Sequence, residues 1–165
     1  MIALDQMGGD RLPVDAVADA MSAPDAALRE AAGWIAARHP EWGEALAAVF
    51  RERLADEALS DSERRDLEGQ LARLATNEAI QRLVAEVTND ESASIPARLS
   101  SLRAMAASSL KAVPDAWVRA LAGVMAEPDA PLVSQGVAAA TQTAVSKVAP
   151  TQVVLAKVAK LSTGG

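Results

Sequence analysis

The chain has 165 residues, a mass of 17.1 kDa and a formal charge of −6. Half its residues are hydrophobic and 38 are alanine, but the aromatics are only Trp34, Trp42, Phe50 and Trp117. That length suits one domain. Scarce aromatic and β-branched residues argue against a β-sandwich, and the acidic balance argues against nucleic acid as a partner. Residues 1–12 read as an irregular lead-in with a turn at Gly8-Gly9-Asp10. Pro13 suits the first turn of a short leading helix over about 13–21, burying Val14, Val17 and Met21.

Helix pairs follow in order. The first spans about 24–58: Leu28, Ala31, Ala32 and Ile35 form one stripe, and Pro40 opens a second helix with Trp42, Ala45, Leu46, Val49, Phe50 and Leu54 on one face. The second spans about 60–89. Ser60 and Glu63 read as a capping box before Leu67, Leu71 and Leu74. Thr76 is placed to cap the next helix, which carries Ile80, Leu83, Val84 and Val87. The third, about 94–127, carries Leu99, Leu102, Ala106 and Leu110, then Pro114 and Val118, Leu121, Ala122 and Met125. The fourth, about 130–162, carries Val133, Val137, Ala140 and Ala144, then Pro150 and Val154, Val158 and Leu161.

The interval is the informative part. Second helices start near Pro40, Asn77, Pro114 and Pro150, which are 37, 37 and 36 residues apart. A helix pair recurring at that interval marks an α-solenoid. Residues 13–165 are therefore read as one all-α domain: a right-handed α-solenoid of about four HEAT-like hairpins behind a short leading helix. A plain helical bundle is the competing architecture.

No catalytic, cofactor or metal residue is assigned. There is no cysteine, so thiolate metal sites and covalent c-type haem are excluded. His39 is the one histidine and lacks the partners a metal site needs. Asp56, Glu57, Asp61, Glu63, Asp66 and Glu68 form an acidic run with Arg64 and Arg65 interleaved, which reads as a solvated helix face. Gly8-Gly9 lacks the rest of a phosphate loop, and Ser108-Ser109 lacks a nucleophile-elbow context. The first fifteen residues hold Asp5, Asp10 and Asp15, unlike a signal peptide, and the apolar run 137–140 is too short to span a bilayer. Trp34, Trp42 and Trp117 are placed first in the core and second as partner contacts. Trp42 is expected to fill a seam between hairpins, at about 3–5 kcal/mol on truncation to alanine.

Charge is uneven. Residues 1–91 hold 19 acids and nine bases, and residues 92–165 hold three acids and seven bases. This reads as differing solvated faces or as a docking surface with opposite ends.

Leu28-Arg29-Glu30-Ala31-Ala32, Trp34-Ile35 and Arg38-His39-Pro40-Glu41-Trp42-Gly43 together resemble the helical repeat region of planctomycete-type haem-binding membrane-bound dehydrogenase-like proteins. Ala3-Leu4-Asp5-Gln6-Met7 with Gly8-Gly9 is similar to its lead-in. Leu102-Arg103-Ala104-Met105-Ala106 and Ala116-Trp117-Val118 are similar to its later repeats. The likeness covers about residues 3–125 and consists of packing patterns. It implies a repeat module from a larger protein of the periplasm or cell envelope, between a propeller-like dehydrogenase domain and a c-type cytochrome domain.

The expected function is therefore a non-catalytic scaffold, spacer or docking module. Its partners are proteins or flanking domains, with no nucleic acid, no membrane insertion and no cofactor. Weak two-fold self-association is expected through Ile2, Leu4 and Met7. The alternatives are a free-standing protein-interaction module and a small helical enzyme or cofactor-binding bundle.

Overall fold

Short polar side chains set where the helices begin. The computed structural model describes residues 12–145, and among them there are eight α-helices and no strand. They are α1 (Val14–Ala20), α2 (Ala26–Arg38), α3 (Gly43–Ala55), α4 (Asp61–Arg73), α5 (Glu78–Asn89), α6 (Ile95–Ala107), α7 (Asp115–Met125) and α8 (Ala130–Val145). A 3-10 turn over Pro40–Trp42 leads into α3. Asp25 caps α2 by accepting from the Ala27 N–H at 2.8 Å, and Ser94 caps α6 by accepting from the Ala97 N–H at 3.3 Å. Asn77, not Thr76, caps α5, with its side-chain oxygen 2.9 Å from the Ala79 nitrogen. The amide has a second use there: its Nδ2 donates to the Pro40 carbonyl at 2.9 Å, a bond a threonine hydroxyl is too short to make as well.

The capping box forms as read. The Ser60 N–H and hydroxyl donate to Glu63 Oε2 at 2.8 and 2.6 Å, and the Glu63 N–H donates to Ser60 Oγ at 3.3 Å. The hydroxyl, then the backbone N–H, hold the Glu63 carboxyl below its ordinary range; Ser92 does the same to Asp90. A carboxyl depressed in the folded state stabilises it above the ordinary carboxylate range. That contribution is lost as pH falls through the depressed value. Glu63 is therefore expected to titrate by NMR below an ordinary glutamate, and Ser60→Ala, which removes the hydroxyl and keeps the backbone N–H, should raise it toward that value. An unchanged midpoint in Ser60→Ala would refute the cap as the cause.

Packing runs along two rows. In one, α1 meets α3, α3 meets α5 and α5 meets α7; in the other, α2 meets α4, α4 meets α6 and α6 meets α8. The rows join where α1 packs on α2, α3 on α4, α5 on α6 and α7 on α8. The core is the shared apolar interior. It holds Ile35, Phe50, Leu54, Leu67, Leu71, Ile80, Leu83, Leu102, Met105, Trp117 and Leu121.

Side-chain ties repeat along the rows at nearly constant separation. Asn77 reaches back 37 residues to Pro40, and Trp117 reaches back 36 to Gln81. Arg51 pairs with Glu86, 35 residues on, and Arg82 pairs with Glu44, 38 residues back. Arg103 meets Glu68 across 35 residues.

Besides Thr76, other expectations need correction: Ala45 of the α3 stripe is exposed, and Leu110 lies past the end of α6 at Ala107. The inward face of α8 holds Leu132, Gly136, Ala139 and Ala140, while Val137 points outward at 44% exposed. A Cβ at Gly136 would lie 3.1 Å from Val124 Cγ1, so α8 buries small residues by approaching α7 closely. Glu68 leaves the solvated acidic face. It is buried, accepts from Ser100 Oγ at 2.9 Å and meets Arg103 Nη1 at 3.3 Å. Trp34 leaves the core altogether. The helix expected from Pro150 with Val154, Val158 and Leu161, and the association surface of Ile2, Leu4 and Met7, lie outside the described residues.

Candidate functional site

The three tryptophans occupy three environments. Trp117 is fully buried in α7, and its Nε1–H donates to the Gln81 carbonyl of α5 at 3.0 Å. Trp42 is half-buried at the core's edge and stacks on His39, with ring centroids 4.0 Å apart and planes 11° from parallel. His39 Nδ1 lies 2.7 Å from Glu41 Oε1. Because Trp42 leaves part of its ring in water, Trp42→Ala is now expected to lower stability by about 1–2 kcal/mol rather than the full core value. Denaturant unfolding checks this, and a loss above about 3 kcal/mol would return Trp42 to the core.

Trp34 is 39% exposed on the outer side of α2. The Arg38 guanidinium lies over its ring, 4.7 Å from the centroid. This is a cation–π stack between residues one helical turn apart. The neighbouring residue, Gly33, is buried although it has no side chain, because Arg73 of α4 covers it. A Cβ there would sit 3.5 Å from Arg73 Nη2.

Arg65, Gly69 and Arg73 follow at four-residue spacing on α4, all exposed, and so share one stripe. Gly69 leaves the middle of that stripe bare, with no atom within 4 Å of where a Cβ would stand. Beyond Arg65 the groove between α4 and α6 opens into a cleft of about 440 Å³, lined by Asp61, Arg64, Arg65, Glu68 and Arg103. Arg64 Nη1 is buried there without a hydrogen-bond partner. The outer sides of α2, α4 and α6 thus carry an aromatic ring, several guanidiniums and an open groove.

Sequence reasoning named Trp34 a partner contact only together with Trp42 and Trp117 and only second to the core, and it missed Arg38, Arg65 and Arg73. The spacings Trp34–Arg38 and Arg65–Gly69–Arg73 were visible. That α2 and α4 lie side by side was the missing information.

Among the described residues, no three of His, Asp and Glu converge as a metal-ligand set, and no helix is long and apolar enough to cross a membrane. No family model, curated protein or solved structure matches the chain.

Proposed function

We propose that this chain is a non-catalytic helical-repeat module, a right-handed HEAT-like α-solenoid that serves as a scaffold or docking surface. The observation that carries the reading is the recurrence of inter-helix ties at 35 to 38 residues, each joining a helix to the next but one. A bundle with unrelated helices has no reason to tie itself at one repeating separation. A stack of similar hairpins does, because each repeat meets the one before through equivalent positions. The likeness of residues 3–125 to the repeat region of haem-binding dehydrogenase-like proteins is the ground for placing the module within such a larger envelope protein. In that setting it holds catalytic and electron-transfer domains at a fixed separation.

Repeat stacks tolerate loss of an internal unit, because stability is a sum of unit and nearest-neighbour terms. Removing residues 78–114 deletes one period, α5 with α6, and joins Asn77 to Asp115. The shortened chain is expected to remain helical and to unfold cooperatively at lower denaturant, read by circular dichroism. A chain that is unfolded in buffer would overturn the repeat reading in favour of a single indivisible bundle.

A further inference from the structure

The face built on α2 and α4 carries arginines that no carboxylate of the described residues pairs with. Acids outnumber bases by 22 to 16, so exposed arginines have carboxylates available. Arg29 pairs with Asp66, Arg51 with Glu86, Arg82 with Glu44, Arg98 with Glu127 and Arg103 with Glu68. Among the described residues, Arg38, Arg65 and Arg73 form no such pair, and neither do Arg53, Arg64, Lys111 and Arg119, so it is the place of the first three around the α2–α4 face that distinguishes them. Arg38 stacks on Trp34, Arg65 donates to the Asp61 carbonyl at 3.0 Å, and Arg73 lies across Gly33. Arg38 thus lies on the one exposed tryptophan, Arg73 lies against its neighbour Gly33, and Arg65 stands two turns before Arg73 on the same stripe of α4.

We infer that this face docks an acidic segment of a partner protein. Trp34 anchors an apolar side chain of the segment, and Arg38, Arg65 and Arg73 receive its carboxylates. The inference rests on the scaffold reading above and names the chemistry of the partner.

Three physical arguments support it. Tryptophan and arginine are the side chains that concentrate binding energy at interfaces. Here the indole is already held by Arg38, so less side-chain freedom is lost on binding. Second, Arg65 and Arg73 stand eight helical residues apart, about 12 Å at 1.5 Å per residue. An extended peptide rising about 3.3 Å per residue covers that span with carboxylates four residues apart. Bare Gly69 leaves room for the side chains between them. Third, exposed cations on positions about 12 Å apart along a helix are largely screened from each other at physiological salt, so the free protein tolerates them. A bound carboxylate forms a bidentate pair that water does not offer.

A nucleic acid fits the same face less well. Glu30 stands one turn before Trp34, and Asp66 lies on α4 paired with Arg29. A phosphate backbone, charged at every nucleotide, would meet both, with few cations to release counterions, whereas carboxylates four residues apart leave neutral side chains between the arginines.

The test uses the full chain and a fluorescein-labelled peptide carrying glutamates four residues apart with leucines between, followed by anisotropy at low and physiological salt. A single-stranded oligonucleotide of similar length is the second probe. Micromolar binding of the peptide is expected, weakening with salt. Trp34→Ala and the double change Arg65→Glu with Arg73→Glu should each weaken it at least about tenfold. Arg119→Glu, an exposed cation on α7 in the other row, should leave it within about twofold. Circular dichroism verifies that each variant stays folded.

Absence of peptide binding at low salt would overturn the inference. So would an equal loss in Arg119→Glu, which would signal undirected charge attraction, or tighter binding of the oligonucleotide. The chain lacking residues 78–114 keeps α2 and α4. Its unfolding would therefore refute the repeat architecture, whereas failed peptide binding by the intact chain refutes only the docking partner.

Discussion

Replacing Trp117 with alanine is expected to lower stability by about 3–5 kcal/mol, measured as a shift in the denaturant midpoint with unchanged slope. The ring is 1% exposed and fills space between α7 and α5. Its removal loses transfer free energy and leaves a cavity that helices tied by several other contacts cannot fully close. Trp117→Phe separates the two contributions. It keeps most of the volume and loses the bond from Nε1 to the Gln81 carbonyl, 3.0 Å long in the native chain, with only a small cavity beside it. That carbonyl still accepts within the ladder of α5, so the loss should be near 1 kcal/mol. Domains of this size are stable by only about 5–15 kcal/mol, so the alanine variant should be partly unfolded on mild warming. A loss below about 1 kcal/mol would mean that the α5–α7 contact contributes little to holding the helices together.

Local chemistry was legible in the sequence. Ser60 and Glu63 cap α4 as read, because a capping box uses only atoms within four residues. Leu67, Leu71 and Leu74 are buried, since large aliphatics on a polar helix admit one orientation. The second helices of the first three pairs begin at Pro40, Asn77 and Pro114, where proline or a short polar residue suits a helix start.

What was not legible depended on the neighbour. On α8, alanine and valine both count as apolar, and only the close approach of α7 decides that Gly136 and Ala139 turn inward while Val137 turns out. On α6, Ser100 and Ser101 are fully buried. No reading of hydrophobic period places two serines in a core, yet α6 sits between α4, α5 and α8, where large side chains would hold the helices apart. Glu68 follows from Ser100, since a buried hydroxyl facing a carboxylate gives that carboxylate a reason to be inside. The candidate face was illegible for the same reason. Gly33 and Arg73 are 40 residues apart, and their contact exists only once α2 lies beside α4.

Arg98→Met is expected to destabilise by about 3 kcal/mol, because Arg98 joins the ends of three helices. The side chain is 4% exposed in the first turn of α6. Its Nε donates at 2.9 Å to the Thr88 carbonyl, among the last carbonyls of α5, which the helix itself cannot satisfy. Its Nη2 donates to Glu127, just past the end of α7. Methionine matches the aliphatic stem but leaves that carbonyl without its guanidinium donor and that carboxylate without its cation. Glu127 keeps 24% of its side chain in water, which holds the expectation near the lower end of the range for broken buried pairs. Adding Glu127→Gln should recover about 1 kcal/mol or more, since the uncompensated charge is then gone while the Thr88 carbonyl stays unpaired. Arg98→Lys should fall between, because a single ammonium cannot span both acceptors as the planar guanidinium does. If the double variant is as unstable as Arg98→Met, the penalty lies wholly at the Thr88 carbonyl. The tie that matters is then the one between α6 and the end of α5.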